Sequence, residues 1–309
     1  MRACGGSHLL ESIYQKNKMT FSIYELSMAN IMEGKVCLIT GATSGIGKET
    51  ALALARMGAT VVFTARNPEK GRTTRDQIIA SSRNETVDAL ECDLSSLSSV
   101  RDFCTIFQAR HARLHVLVNN AGTWEKERKV SKDGIENTFV VNHLAPFLMT
   151  NLLIDTLKNS APARIISVSS GLHGGTINLD DVEFRTNFKG MKAYRQSKLA
   201  NILFTKELSR RLIGTGVTAN CLMPGLVATD LSRNASAFNR SFFRIFGASP
   251  EKGAETSIYL ASSPEVANVS GQCFRKRKVV NTSKESNDPA LAKRLWDLSE
   301  KYTERWLSP

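Results

Sequence analysis

No stretch of this sequence approaches the ~20 consecutive apolar residues that a helix needs to cross a bilayer. Residues 1 to 33 are interrupted by Arg2, Glu11, Lys16, Lys18, Glu25 and Glu33, and they lack the basic start, apolar run and small-residue cleavage site of a secretory leader. The expectation is a cytoplasmic chain with no integral membrane segment. The six cysteines form no C-x-x-C pair and show no metal-ligand spacing, which excludes a disulfide scaffold and a zinc module and points to free thiols in a reducing compartment. The five histidines are scattered, so no metal site is expected. Acidic residues are outnumbered, leaving a formal charge of +12. The densest basic run, Arg275 to Lys278, has no interleaved aromatics and no helix-turn-helix pattern around it. Nucleic acid is therefore not an expected partner, and the charge reads as a solvated tail or a diffuse bias toward anionic cofactors.

What the chain does have is alternation. Val36-Cys37-Leu38-Ile39-Thr40 is a short apolar run of the kind a strand buried on both faces requires, and it leads through glycines into the helical composition of Lys48 to Ala55. Further strands are expected at Thr60 to Ala65, Thr86 to Glu91, His115 to Asn119, Arg164 to Val168 and Val217 to Met223, with helices at Leu97 to Ala109, Gly134 to Met149 and Ala193 to Arg211. Strand and helix in turn predict an α/β fold, a single Rossmann-type doubly wound parallel sheet with helices on both faces. Residues 1–33 are expected to be an extension, 34–278 the dinucleotide-binding and catalytic domain, and 279–309 a linker with an amphipathic helix carrying Leu291, Leu295, Trp296 and Leu298.

Between the first strand and helix lie Gly41, Thr43, Ser44, Gly45, Ile46 and Gly47. Strand, glycine turn and helix start form a pyrophosphate cradle, because backbone N–H groups approach the anion and the helix N-terminus stabilises its charge. At the end of the second strand, where an NAD site carries a carboxylate for the ribose, stand Ala65 and Arg66. A guanidinium there pairs with a 2′-phosphate, so NADP(H) is expected over NAD(H). Asp93 is placed to accept from an adenine amino group, and the Asp93-Leu94-Ser95 segment reads equally as a cap on the following helix. Asn120, Ala121 and Gly122 close the fourth strand with residues small enough to admit a nicotinamide ribose. Pro224 and Gly225 turn the chain over the nicotinamide side, and Thr229 reaches its carboxamide or the diphosphate. Ser232 to Gly247, rich in phenylalanine, reads either as a lid over a lipophilic substrate or as a packing helix.

The chemistry centres on Tyr194 and Lys198, four residues apart and so on one face of a helix. A phenol with a pKa of about 10 must lose roughly 3 units, or about 4 kcal/mol, to exchange protons at neutral pH. An ammonium at about 4 Å and an effective dielectric of about 20 supplies that order of energy. Ser170, just past the fifth strand, faces the ligand crevice by the carboxyl-end rule for open α/β sheets.

Thr40 to Gly47 as T-G-x-x-x-G-x-G, Asn119 to Gly122 as N-N-A-G, Tyr194 to Lys198 as Y-x-x-x-K, and Pro224-Gly225, in that order, resemble the short-chain dehydrogenase/reductase family. The wording Tyr194 to Asn201 and Asn142-His143-Leu144 is similar to its retinol dehydrogenase-like branch. The resemblance implies a tetrad of Asn142, Ser170, Tyr194 and Lys198, hydride exchange between NADP(H) and a carbonyl or alcohol, and a homodimer or homotetramer. Two alternatives stand beside it: a catalytically silent NADP-binding regulatory protein on the same fold, and an NAD(H)-preferring dehydrogenase.

Overall fold

The computed structural model describes residues 30–225 and 248–307. In chain order the elements are β1 (Val36–Ile39), α1 (Gly45–Arg56), β2 (Thr60–Ala65), α2 (Pro68–Ser82), β3 (Val87–Glu91), α3 (Leu97–Arg110) and β4 (Val116–Asn119). A short helix α4 (Asn137–Phe139) passes through a π turn (Val140–Leu144) into α5 (Ala145–Leu152), followed by α6 (Ile154–Lys158), β5 (Ala163–Val168), α7 (Gly190–Arg211) and β6 (Val217–Leu222). The chain closes with α8 (Pro250–Ser262), β7 (Cys273–Arg275), β8 (Lys278–Val279) and α9 (Pro289–Leu307).

The eight strands form one sheet in the order β3-β2-β1-β4-β5-β6-β7-β8, with only β8 antiparallel. The order reverses beside β1, so the loops after β1 and β4 open a crevice at the carboxyl edge. Alternate residues of the central strands feed two cores. Leu38, Val62, Leu117 and Ile165 pack under α3, α5, α7 and α9, while Ile39, Phe63, Val118 and Ile166 pack under α1, α2 and α8. Burial on both faces explains why these strands read as continuous apolar runs, each fully buried Leu, Ile or Phe contributing about 1.5–3 kcal/mol.

The expected helix from Gly134 to Met149 is not continuous. Gly134 sits at φ +79 in a turn, and Val130 bridges Glu136, so helix starts only at Asn137. The buried Glu136 carboxylate caps it, accepting from the amides of Thr138 (2.8 Å) and Phe139 (2.7 Å). Arg275 to Lys278 is no tail either. Phe274 pairs with Val279 and Arg275 with Lys278 across a two-residue turn, Lys276 (φ 50) and Arg277 (φ 64), whose left-handed backbone joins β7 to β8. α9 packs its apolar stripe onto α5 and α7: Trp296 lies 4.9 Å from Phe147 and 5.8 Å from Phe204, ring centre to ring centre. The described cysteines, Cys37, Cys92, Cys104, Cys221 and Cys273, are free and buried.

Candidate active site

The cradle is built by mutual exclusion of side chains. Gly41 (φ +68) lies so close to Ala121 that an added Cβ would stand 2.9 Å from the alanine Cβ. A Cβ on Gly47 would stand 2.5 Å from both the Gly41 carbonyl and the Asn120 amide. Thr40 holds the two loops together. Its hydroxyl accepts from the amides of Asn120 (2.9 Å) and Ala121 (3.0 Å), and the Asn120 side chain donates back to the Thr40 carbonyl at 2.8 Å. Ser44 caps α1 with extended backbone but makes no side-chain capping bond, so its hydroxyl and the first amides of α1 stay uncommitted in the loop that also carries Thr43, Gly45 and Ile46. Thr40 lay within the glycine motif, yet its spacing gave no sign of this bracing role.

On the other side of β4, α7 brings Tyr194 and Lys198 together as the four-residue spacing predicts. The Lys198 ammonium lies over the Tyr194 ring, 5.7 Å from its centroid, and the Ser170 side chain is the polar neighbour of the phenol. The ammonium is buried and donates to the Val168 carbonyl at 3.1 Å, the one hydrogen bond it makes among the described residues. Burial pushes its pKa down to about 8. Gly122 leaves the space in front of it open: a Cβ there would stand 3.3 Å from Lys198 Nζ and 3.4 Å from Asn142 Oδ1.

One expectation is reversed in direction. Burial pushes the Tyr194 phenol above its ordinary value, and the Ser170 hydrogen bond opposes that only in part. The ammonium lies over the ring face and is itself partly neutralised near pH 8, which weakens the pull that the spacing suggested.

Asn142 is locked within the π turn. Its Oδ1 accepts from the Thr123 amide at 2.7 Å, and its Nδ2 donates to the Thr123 carbonyl and to Ser197 Oγ, both at 2.9 Å. Ser197 in turn donates to the Tyr194 carbonyl at 2.7 Å, so Asn142 is fastened to the helical turn that bears the tyrosine. Ser197 was hidden as an unassigned letter inside Y-x-x-x-K. Ser169, beside Ser170, ties β5 to α7 through the Lys198 carbonyl at 2.7 Å.

The remaining candidates are more dispersed. Arg66 is exposed at the end of β2, and no carboxylate pairs with it among the described residues. Asp93 accepts from the Ser95 amide (3.1 Å) and hydroxyl (2.7 Å) and faces Lys132 at 3.5 Å. Burial alone would raise its pKa, but these partners outweigh burial and hold it below the usual value. The cap of α3 is Ser96, not Asp93. Pro224 and Gly225 (φ +86) extend past β6 on the crevice side. Thr229 and the segment Ser232 to Gly247 lie outside the described residues.

A doubly wound sheet with a glycine cradle, a strand-end N-N-A-G loop and a buried tyrosine–lysine pair is the plan of a nicotinamide-dependent oxidoreductase, and the chain belongs to the short-chain dehydrogenase family, whose model matches residues 35–240. Among curated proteins it is similar to retinol dehydrogenase 14 of Homo sapiens, at 43% identity over 87% of this chain and 86% of that one. It is likewise similar to retinol dehydrogenase 13 of Homo sapiens, at 44% identity over 85% and 82%. Among solved structures, an uncharacterized protein from Mycobacterium paratuberculosis superposes with a TM-score of 0.73 at 33% identity, covering 91% of this chain and 97% of that one. A short chain dehydrogenase from Burkholderia cenocepacia in complex with NADP gives a TM-score of 0.65 at 27% identity, covering 79% and 97%. Among the described residues no helix is long and apolar enough to cross a membrane, and no cluster of metal ligands occurs.

The residues present fit such a cofactor. A buried ammonium holding a single carbonyl partner, an uncommitted capping hydroxyl at Ser44 and the open face of Gly122 line one crevice between the loops after β1, β4 and β5.

Proposed function

We propose that this chain is an NADP(H)-dependent oxidoreductase that interconverts a lipophilic carbonyl compound and its alcohol through Tyr194, Lys198, Ser170 and Asn142. The observation that carries the reading is the convergence of the Tyr194 hydroxyl, the Ser170 hydroxyl and the buried Lys198 ammonium at the crevice. The nicotinamide, when bound, supplies or takes up the hydride. Ser170 donates to the substrate oxygen and Tyr194 transfers the proton, as acid in reduction and base in oxidation. Lys198 binds the ribose with its two remaining N–H donors and holds positive charge beside the phenol as negative charge develops on oxygen. Asn142, fixed between Thr123 and Ser197, keeps the N-N-A-G loop and α7 in register.

The class of substrate follows the names of the relatives, and exposed apolar side chains at Leu172 and Met191 adjoin Ser170 and Tyr194 along the chain. A panel of retinoids, steroids, aliphatic aldehydes and small ketones, followed through NADPH absorbance, tests it; turnover confined to small polar ketones would reject a lipophilic substrate.

Arg66 is the basis for NADP(H). A charge-assisted bidentate contact contributes about 1.5–3 kcal/mol, so Arg66→Ala is expected to weaken NADPH roughly tenfold to a hundredfold while leaving NADH nearly unchanged. Competition titration of the two cofactors measures this, and equal losses for both would remove the 2′-phosphate contact.

The depressed Lys198 pKa predicts a pH limb. The side chain is cationic below about 8 and neutral above it, so kcat/KM for reduction is expected to hold at neutral pH and fall as the pH rises through about 8. Lys198→Arg keeps the charge across this range, so in that variant the residual activity shows no such limb. A limb persisting in the arginine variant would assign the titration to another group.

A further inference from the structure

α9 reaches the catalytic face through two hydroxyls. Beside Asn142 in the π turn stands His143, fully enclosed, its ring 5.2 Å from Phe139, 6.3 Å from Phe147 and 6.1 Å from Phe204, centre to centre. Burial keeps it neutral, with its pKa pushed down to about 3. Its Nε2 lies 2.8 Å from Ser299 Oγ on α9. The direction of that bond follows by elimination. Ser299 has one hydroxyl proton and donates it to the Leu295 carbonyl at 2.7 Å, so Ser299 accepts and His143 carries its proton on Nε2. Nδ1 is then bare: it has no partner at hydrogen-bond geometry, although the Asn201 side chain faces the ring. The Ser299 hydroxyl is thus the polar group bonded to this ring at 2.8 Å, with Asn201 as its other polar neighbour.

The second hydroxyl holds the other end of the same segment. Tyr302 donates to Glu183 Oε1 at 2.9 Å, an oxygen that Arg185 also meets at 2.8 Å. The other oxygen of that buried carboxylate accepts from the backbone amide of Glu136 at 3.2 Å and from Arg128 at 3.3 Å. Glu136 is the residue whose own carboxylate caps α4 and so starts the helical path into the π turn. Residues 136 to 143 are therefore gripped at both ends by one helix, with Asn142 between the grips. Asn142 passes the constraint to the Thr123 backbone and through Ser197 to the Tyr194 turn of α7.

We propose that Ser299 and Tyr302 are positioning residues of the active site, which fix through His143 and Glu183 the π turn that carries Asn142. The proposal rests on the functional reading given above. It differs from a purely packing role for α9 in one respect: a packing role alters stability only, whereas loss of either hydroxyl loosens Asn142 and with it the catalytic turn of α7.

The test uses the full chain, with all-trans-retinal and NADPH as probes, on Ser299→Ala and Tyr302→Phe. Expected is a fall in kcat of roughly tenfold to a hundredfold, the range over which small misplacements act, with the Kd of NADPH and the KM for retinal nearly unchanged. Nitrogen NMR of histidine-labelled protein is expected to show His143 protonated at Nε2 in the parent chain and a mixed or inverted tautomer in Ser299→Ala. A parent-chain His143 protonated at Nδ1, or variants with unchanged kcat and only a lower urea midpoint, would overturn the proposal. If Ser299→Ala does not fold, Tyr302→Phe, which removes a single oxygen, decides the kinetic part. If the parent chain turns over nothing, or Tyr194→Phe retains turnover, the catalytic reading fails by itself, and the His143 tautomer with its response to Ser299→Ala still decides the grip.

Discussion

Tyr194→Phe is expected to lower kcat by about a thousandfold, within the roughly 10²–10⁴ range that a positioned acid or base contributes. The variant removes one oxygen from a residue that is 7% exposed, so the burial of the ring and the cation over its face both persist. NADPH should therefore bind within about twofold of its normal Kd, the pattern of an interaction made only in the transition state. Ser170 loses its phenol partner but keeps its bond from the Leu172 amide, so the loop after β5 should hold its shape. Stopped-flow hydride transfer at saturating NADPH measures the effect. Turnover near the parent rate would take the phenol out of the proton path and leave Lys198 as a binding residue only.

The second large effect is on stability. Trp296→Ala is expected to cost about 3–5 kcal/mol, because it opens a cavity between α9, α5 and α7 where the indole meets Phe147 edge-on and stacks on Phe204. It also removes a ring over which the Arg211 guanidinium sits at 4.2 Å and an N–H bonded to Glu300 at 2.7 Å. Against total stabilities of about 5–15 kcal/mol, that is a large fraction. Urea unfolding at fixed m-value checks it, and a loss below about 1 kcal/mol would mean that α9 is only loosely docked.

The parallel sheet was legible because strands covered on both faces need apolar stretches, and Val36–Ile39, Val61 to Phe63 and Ile165-Ile166 supply them. The crevice was legible because glycines at fixed spacing mark where backbones approach, as Gly41 and Gly47 do against Ala121 and Asn120. Three features were not legible, each for a physical reason. The π turn has no side-chain period of its own, being set by the lock of Asn142 onto Thr123 and Ser197 across the fold. The direction of the Tyr194 shift depends on burial, which spacing does not report. The amphipathic stripe of α9 was visible, but its partners Phe147, Phe204 and His143 are distant in sequence.

The β7–β8 hairpin bears on how the molecule behaves among copies of itself. A sheet that does not close into a barrel ends in a strand with unsatisfied backbone groups, which can template growth by a neighbouring chain. Here the outermost strand is only two residues long, and Arg275, Lys276, Arg277 and Lys278, which run from the end of β7 through the turn into β8, are all exposed. A flat docking chain would meet four like charges for the few backbone bonds it could make. Like charges beside a short edge strand disfavour the addition of a further strand at the β8 end of the sheet.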